Sequence, residues 1–128
     1  MTKLLWVMLG GGAGALSRYG INLLSSRLFG IGYPWGTLIA NLTGCFLIGV
    51  MFALADRSNY IGPEIRLFVM TGFLGALTTF STYSMETIAA VRTGSGHIAI
   101  ANLLANNVGG LFLTLAGIWL TGMLLSGK

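Results

Sequence analysis

The chain has 128 residues, 55% of them hydrophobic and only 8% charged, with a formal net charge of +4 and a mean hydropathy of +0.83. So little charge cannot cover a water-soluble domain, so residues 1–128 are expected to form one all-α transmembrane domain in a lipid bilayer. Three acids, one histidine and one cysteine are too few for a hydrolytic triad or a side-chain metal cage, so an enzyme is not expected; the partner expected is the bilayer, not nucleic acid.

Apolar stretches long enough to cross the hydrocarbon follow one another, the first from Leu4 to about Leu24. Lys3, the apolar run after it and Ala13, Gly14 and Ala15 have the look of a leader with a cleavage site. The apolar pattern continues past Arg18, however, and a permanent first helix is expected. Gly10 and Gly14 have the spacing at which small residues let helices approach closely; no strand precedes them, so a phosphate loop is not expected. Arg18 stands about 9 Å from the far end of this helix at 1.5 Å per residue. Its side chain can snorkel to the interface or draw anions into an entrance.

The second stretch, Trp35 to Ala55, carries no charge and sets Thr37, Asn41, Gly44 and Ile48 on one helical face. A buried amide at Asn41 must find partners, either on a neighbouring helix or along a pore. Cys45 beside it reads as a small packing residue. The third stretch runs from Leu67 to about Ala90, with Glu86 near its end as an interfacial charge, a partner for a basic group or the border of a pore mouth. The fourth, Ile98 to Leu125, repeats polar or small residues every four positions at Asn102, Asn106, Gly110 and Thr114. Polar contacts between helices and polar pore walls look alike in such a stripe.

Short connections lie around Phe29 to Pro34, Asp56 to Glu64 and Thr93 to His97; His97 is read as solvated. Trp6, Trp35 and Trp119 fall near span ends, where an amphipathic ring favours the headgroup level. With four crossings, one side carries Lys3, Arg57, Arg66 and Lys128, and the other Arg27 and Arg92, with Arg18 if it snorkels outward. So weak a bias does not choose an orientation, and insertion both ways as an antiparallel dimer follows as an expectation.

The third stretch contains the run Gly75, Ala76, Leu77, Thr78, Thr79, Phe80, Ser81, Thr82, Tyr83, Ser84. Glycine and successive hydroxyls near mid-membrane, over Gly75 to Thr78, are expected to let the helix break. Carbonyls freed there make ligands for a small hard cation. Phe80 and Tyr83 share a face beyond the break, with Ser81 and Thr82 around them, and their positive ring edges can face an anion. Rings packing between helices would give the same spacing.

Three groups of residues resemble the Fluc (CrcB) fluoride channel family: Gly14 to Arg18; Pro34 to Leu38 with Asn41 and Gly44; and Thr71 to Gly75 continuing through Ser84. The resemblance covers the full chain in length and layout. It implies a dual-topology homodimer in the cell membrane, the inner membrane in bacteria, with antiparallel fluoride pathways that lower cytoplasmic fluoride. It further implies a structural sodium ion at the dimer centre on the carbonyls of Gly75 and Thr78. Phe80 matches the first pore phenylalanine, Asn41 the polar pore residue, and Ser81 and Thr82 the hydroxyl track, with Thr37, Asn106 and Arg18 assigned to the same pathway. Tyr83 departs from the phenylalanine usual at its position. Other readings are a small proton-coupled multidrug carrier, which needs a carboxylate where the first span offers Arg18, and a non-transporting membrane assembly protein.

Overall fold

A computed structural model describes residues 1–57 and 61–126; Lys128, Arg57's side chain and part of the expected Asp56 to Glu64 connection lie outside the described set. The described residues form helices α1 (Thr2–Phe29), α2 (Trp35–Arg57), α3 (63–77), α4 (Phe80–Arg92) and α5 (Gly96–Ser126). The first runs about a turn beyond the expected end at Leu24 and stops at Gly30, whose φ of 76° suits a residue without a Cβ.

Among the described residues, three segments are long and apolar enough to cross a membrane: Trp35–Asp56, Pro63–Arg92 and Gly96–Ser126. Four had been expected. The glycines at 10, 11, 12, 14 and 20, together with Arg18, dilute the apolar character of α1.

Close backbone approach organises the bundle. Gly10 and Gly14 face α3 so tightly that a Cβ would strike the carbonyl oxygens of Phe68 and Phe73. The small-residue contact read from sequence is thus present. Gly49 and Gly117 do the same between α2 and α5, against the carbonyls of Thr114 and Phe46. Ala40, Leu74 and Leu77 form the buried centre, with Ile48 and Phe73 packed on it. Large apolar side chains such as Leu16, Leu111 and Trp119 point outward, as a lipid-facing surface requires.

Two stretches widen from α-helical to π-helical turns: Arg66–Leu74 within α3 and Ala105–Gly109 within α5. Such wide turns shift the register of the side chains that follow. The four-residue repeat expected at Asn102, Asn106, Gly110 and Thr114 persists across the second: Asn106 bonds both Asn102 and Asn41, Gly110 faces Cys45, and Thr114 bonds the Cys45 carbonyl.

Candidate functional site

The third apolar segment is interrupted, but later than the sequence suggested. Gly75 keeps helical angles (φ −62°, ψ −32°), and the helix continues to Leu77. Thr78 and Thr79 are extended, with ψ of 152° and 113°, and α4 begins at Phe80. Thr79 starts the new helix as its N-cap, its hydroxyl accepting the Thr82 N–H at 3.2 Å.

Asn41 stabilises the interruption from α2. Its Oδ1 accepts the Thr79 N–H at 2.7 Å, and its Nδ2 donates to the Thr79 carbonyl at 3.3 Å. An uninterrupted helix would pair the Thr79 N–H with the Gly75 carbonyl and the Thr82 N–H with that of Thr78. Both donors are instead engaged by side chains, so the Gly75 and Thr78 carbonyls lose their helical partners. The C-terminal end of α3 carries partial negative charge and the N-terminal end of α4 partial positive charge. A cation-favouring end and an anion-favouring end are thus separated only by Thr78 and Thr79.

A polar network extends from the break into α5. Asn41 Nδ2 donates to Asn106 Oδ1 at 2.8 Å, Asn106 Nδ2 donates to Asn102 Oδ1 at 2.9 Å, and Asn102 Nδ2 donates to Thr87 Oγ1 at 2.9 Å. Satisfied amides of this kind fix helix positions in an apolar medium.

The sequence-selected residues divide among separate recesses. Asn41, Asn106, Phe80, Tyr83, Gly75 and Thr78 all line one open cavity of about 380 Å³. Arg18 and Thr82 lie on a second of about 200 Å³, with Asn22. Thr79 borders both. Ser81 is exposed, its hydroxyl 3.3 Å from that of Thr79. Phe80 is 77% exposed and Tyr83 8%, with ring centroids 5.5 Å apart at an interplanar angle of 60°.

Thr37 does not join Asn41 at the cavity. It is buried, and its hydroxyl donates to Glu86 Oε1 at 2.7 Å. A hydroxyl, and no basic group, is the partner seen for Glu86; its Oε2 is buried without one among the described residues. Glu86 lines a third recess of about 420 Å³ with Tyr33, Asn22 and Ser95.

Sequence reasoning missed Asn107. Its Nδ2 lies 2.8 Å from the Tyr83 hydroxyl, on the side of the helix next to the one that Asn106 turns to Asn41. An asparagine pair in an apolar helix was the available signal, but counting in fours selected Asn106 alone.

The profile of the family described as CrcB-like protein, Camphor Resistance (CrcB), matches residues 5–118. A protein of Salinibacter ruber named fluoride-specific ion channel FluC is 47% identical over 127 residues, covering 99% of this chain and 95% of the relative. Proteins of the same name from Nitrosococcus oceani and Dehalococcoides mccartyi are 43% and 40% identical, covering 90% and 97% of this chain and 92% and 95% of their own lengths.

Proposed function

This chain belongs to the CrcB-like family, and on that footing we propose that it is a fluoride-selective channel that releases fluoride across the cell membrane and lowers its cytoplasmic concentration. It is a multi-pass membrane protein and not an enzyme. The observation that carries the reading is the cavity where two aromatic rings, the amides of Asn41 and Asn106 and the N-terminal end of α4 converge without a basic side chain among its lining residues. Fluoride is small and strongly hydrated, so its path must supply close donors and positive ring edges in place of water. A basic side chain in direct contact with the anion would hold it too firmly for rapid release.

In this reading Phe80 and Tyr83 present ring edges, Asn41, Asn106, Ser81 and Thr82 supply polar contacts, Thr37 holds Glu86, and Arg18 attracts anions at an entrance. The path is completed by a second, antiparallel copy, giving two pores per homodimer. The 77% exposure of Phe80 supports a partner surface, because a pathway ring needs an opposite wall. In the same proposal α1, at 28 residues long enough to span, is the fourth crossing.

The residues also fit a structural sodium ion at the dimer centre. Gly75 and Thr78 line the cavity, and both carbonyls have lost their helical donors to side chains. A carbonyl pair from each chain would give a neutral oxygen cage for a small hard cation, which would add fixed positive charge near the anion path.

Fluoride and chloride efflux from liposomes containing the purified protein tests the function. Fluoride should leave rapidly and chloride should not; equal fluxes would sink the reading. A single cysteine near the C-terminus, with Cys45 replaced, should be labelled from both faces of the membrane. Labelling from one face only would remove the antiparallel dimer.

A further inference from the structure

Tyr83 and Asn107 are joined by a hydrogen bond whose direction can be assigned. Asn107 Nδ2 lies 2.8 Å from the Leu103 carbonyl oxygen and 2.8 Å from the Tyr83 hydroxyl oxygen. Leu103 offers only an acceptor there, so the amide atom facing it must be the nitrogen. An amide nitrogen donates and does not accept. The phenol oxygen is therefore the acceptor, and its own proton is left over. Among the described residues no acceptor takes that proton. The phenol is fixed at its oxygen while its donor remains available in the cavity that Tyr83 and Asn107 share with Phe80 and Asn106.

We propose that Tyr83, held by Asn107, donates its phenolic O–H to the anion in this cavity and forms a stopping site for it, with Asn107 as the positioning residue. The inference rests on the channel reading above. A ring edge offers a diffuse positive potential, whereas a hydroxyl aimed at an anion makes a directed, charge-assisted hydrogen bond. Neighbouring residues on a helix point about 100° apart, so Asn106 contacts Asn41 while Asn107 reaches Tyr83.

Initial fluoride efflux from liposomes, measured against internal fluoride concentration, reads the site. Losing a hydrogen bond to an anion costs on the order of tenfold in affinity, so Tyr83→Phe should raise the half-saturating concentration by about that factor. Asn107→Leu should raise it similarly by freeing the phenol from its position, and should add nothing in a Tyr83→Phe background. Misassembly would instead lower the maximal rate by removing conducting channels. If Asn107→Leu does not assemble, Tyr83→Phe alone decides, because it deletes only the hydroxyl. A half-saturating concentration unmoved by Tyr83→Phe would overturn the donor, and an Asn107→Leu effect that persists without the hydroxyl would overturn the positioning role. A parent protein that saturates with chloride as readily as with fluoride would overturn the channel reading and this inference with it.

Discussion

Asn41 clamps both backbone polar groups of Thr79 with one amide, accepting its N–H at 2.7 Å and donating to its carbonyl at 3.3 Å. The two residues are 38 positions apart in sequence, so the interruption of the third segment is held by a tertiary contact as well as by local propensity. Without that amide, the Thr79 N–H would be free to return to the Gly75 carbonyl and the helix could close over the gap.

Asn41→Leu tests this. It keeps similar bulk but orphans both groups of Thr79, at about 1–3 kcal/mol for each buried unsatisfied group. The thermal midpoint in detergent should fall and fluoride efflux should be lost. Parent-like values of both would mean that Thr78 and Thr79 hold the break unaided.

Gly44 makes room for the break from the same face of α2, since a Cβ there would strike Thr78 Cγ2. Overpacking of this kind costs about 1–3 kcal/mol. Gly44→Ala should therefore lower both stability and fluoride flux. Adding Thr78→Ser removes the obstructing methyl while keeping the hydroxyl that bonds Leu74's carbonyl at 3.0 Å, and should recover most of the loss. An equal deficit with and without Thr78→Ser would locate the clash elsewhere.

Tyr33 lies in the connection between α1 and α2, and its phenol is held above the ordinary value of 10.0 by burial first and by the charge of Glu86 second. The folded state thus keeps a proton that the unfolded chain releases earlier. Its contribution to stability is complete below the ordinary value and is lost as pH rises through the folded one. In alkaline difference spectra between the parent and Tyr33→Phe, this phenol should ionise later than free tyrosine. Glu86→Gln should move it only part of the way back, because burial remains. Ionisation at the ordinary value would contradict the burial of this phenol as well as the nearness of Glu86.

The scarcity of charge made the apolar helices legible, and the spacing of Gly10 and Gly14 correctly marked a close contact that reaches the backbone at Phe68 and Phe73. The break was legible as a tendency but was placed at Gly75 to Thr78, whereas the extended residues are Thr78 and Thr79. Local composition could not show which N–H groups would be captured, since Asn41 comes from another helix. Thr37 likewise sat on the Asn41 face by periodicity, yet bonds Glu86 49 residues away. Asn107 was hidden for a different reason: it lies one position off the four-residue stripe, about 100° around the helix, where only the placement of Tyr83 gives it a partner.

If Gly75 and Thr78 contribute to a sodium site between copies, sodium stabilises the assembled dimer by mass action. The thermal midpoint should rise with sodium concentration at fixed ionic strength balanced with potassium, and approach a plateau. Identical midpoints in the two salts would remove the ion from the proposal while leaving the anion pathway standing.

Phe80 supplies the sharpest test of the pathway, because within one chain its ring is 77% exposed and lies 5.5 Å from that of Tyr83. Both rings border the cavity that also holds Asn41 and Asn106, so an anion leaving one ring edge meets the next beside the phenolic O–H of Tyr83. Phe80→Ile preserves an apolar side chain of substantial bulk but deletes the positive ring edge. With aromatic edge contacts worth up to about 1.5 kcal/mol, fluoride flux should fall by up to about tenfold. Size-exclusion chromatography should still return the dimer, which separates loss of conduction from loss of assembly. If Phe80→Ile conducts like the parent, the rings are packing between copies, and the anion path must be sought at the smaller recess beside Arg18 and Thr82.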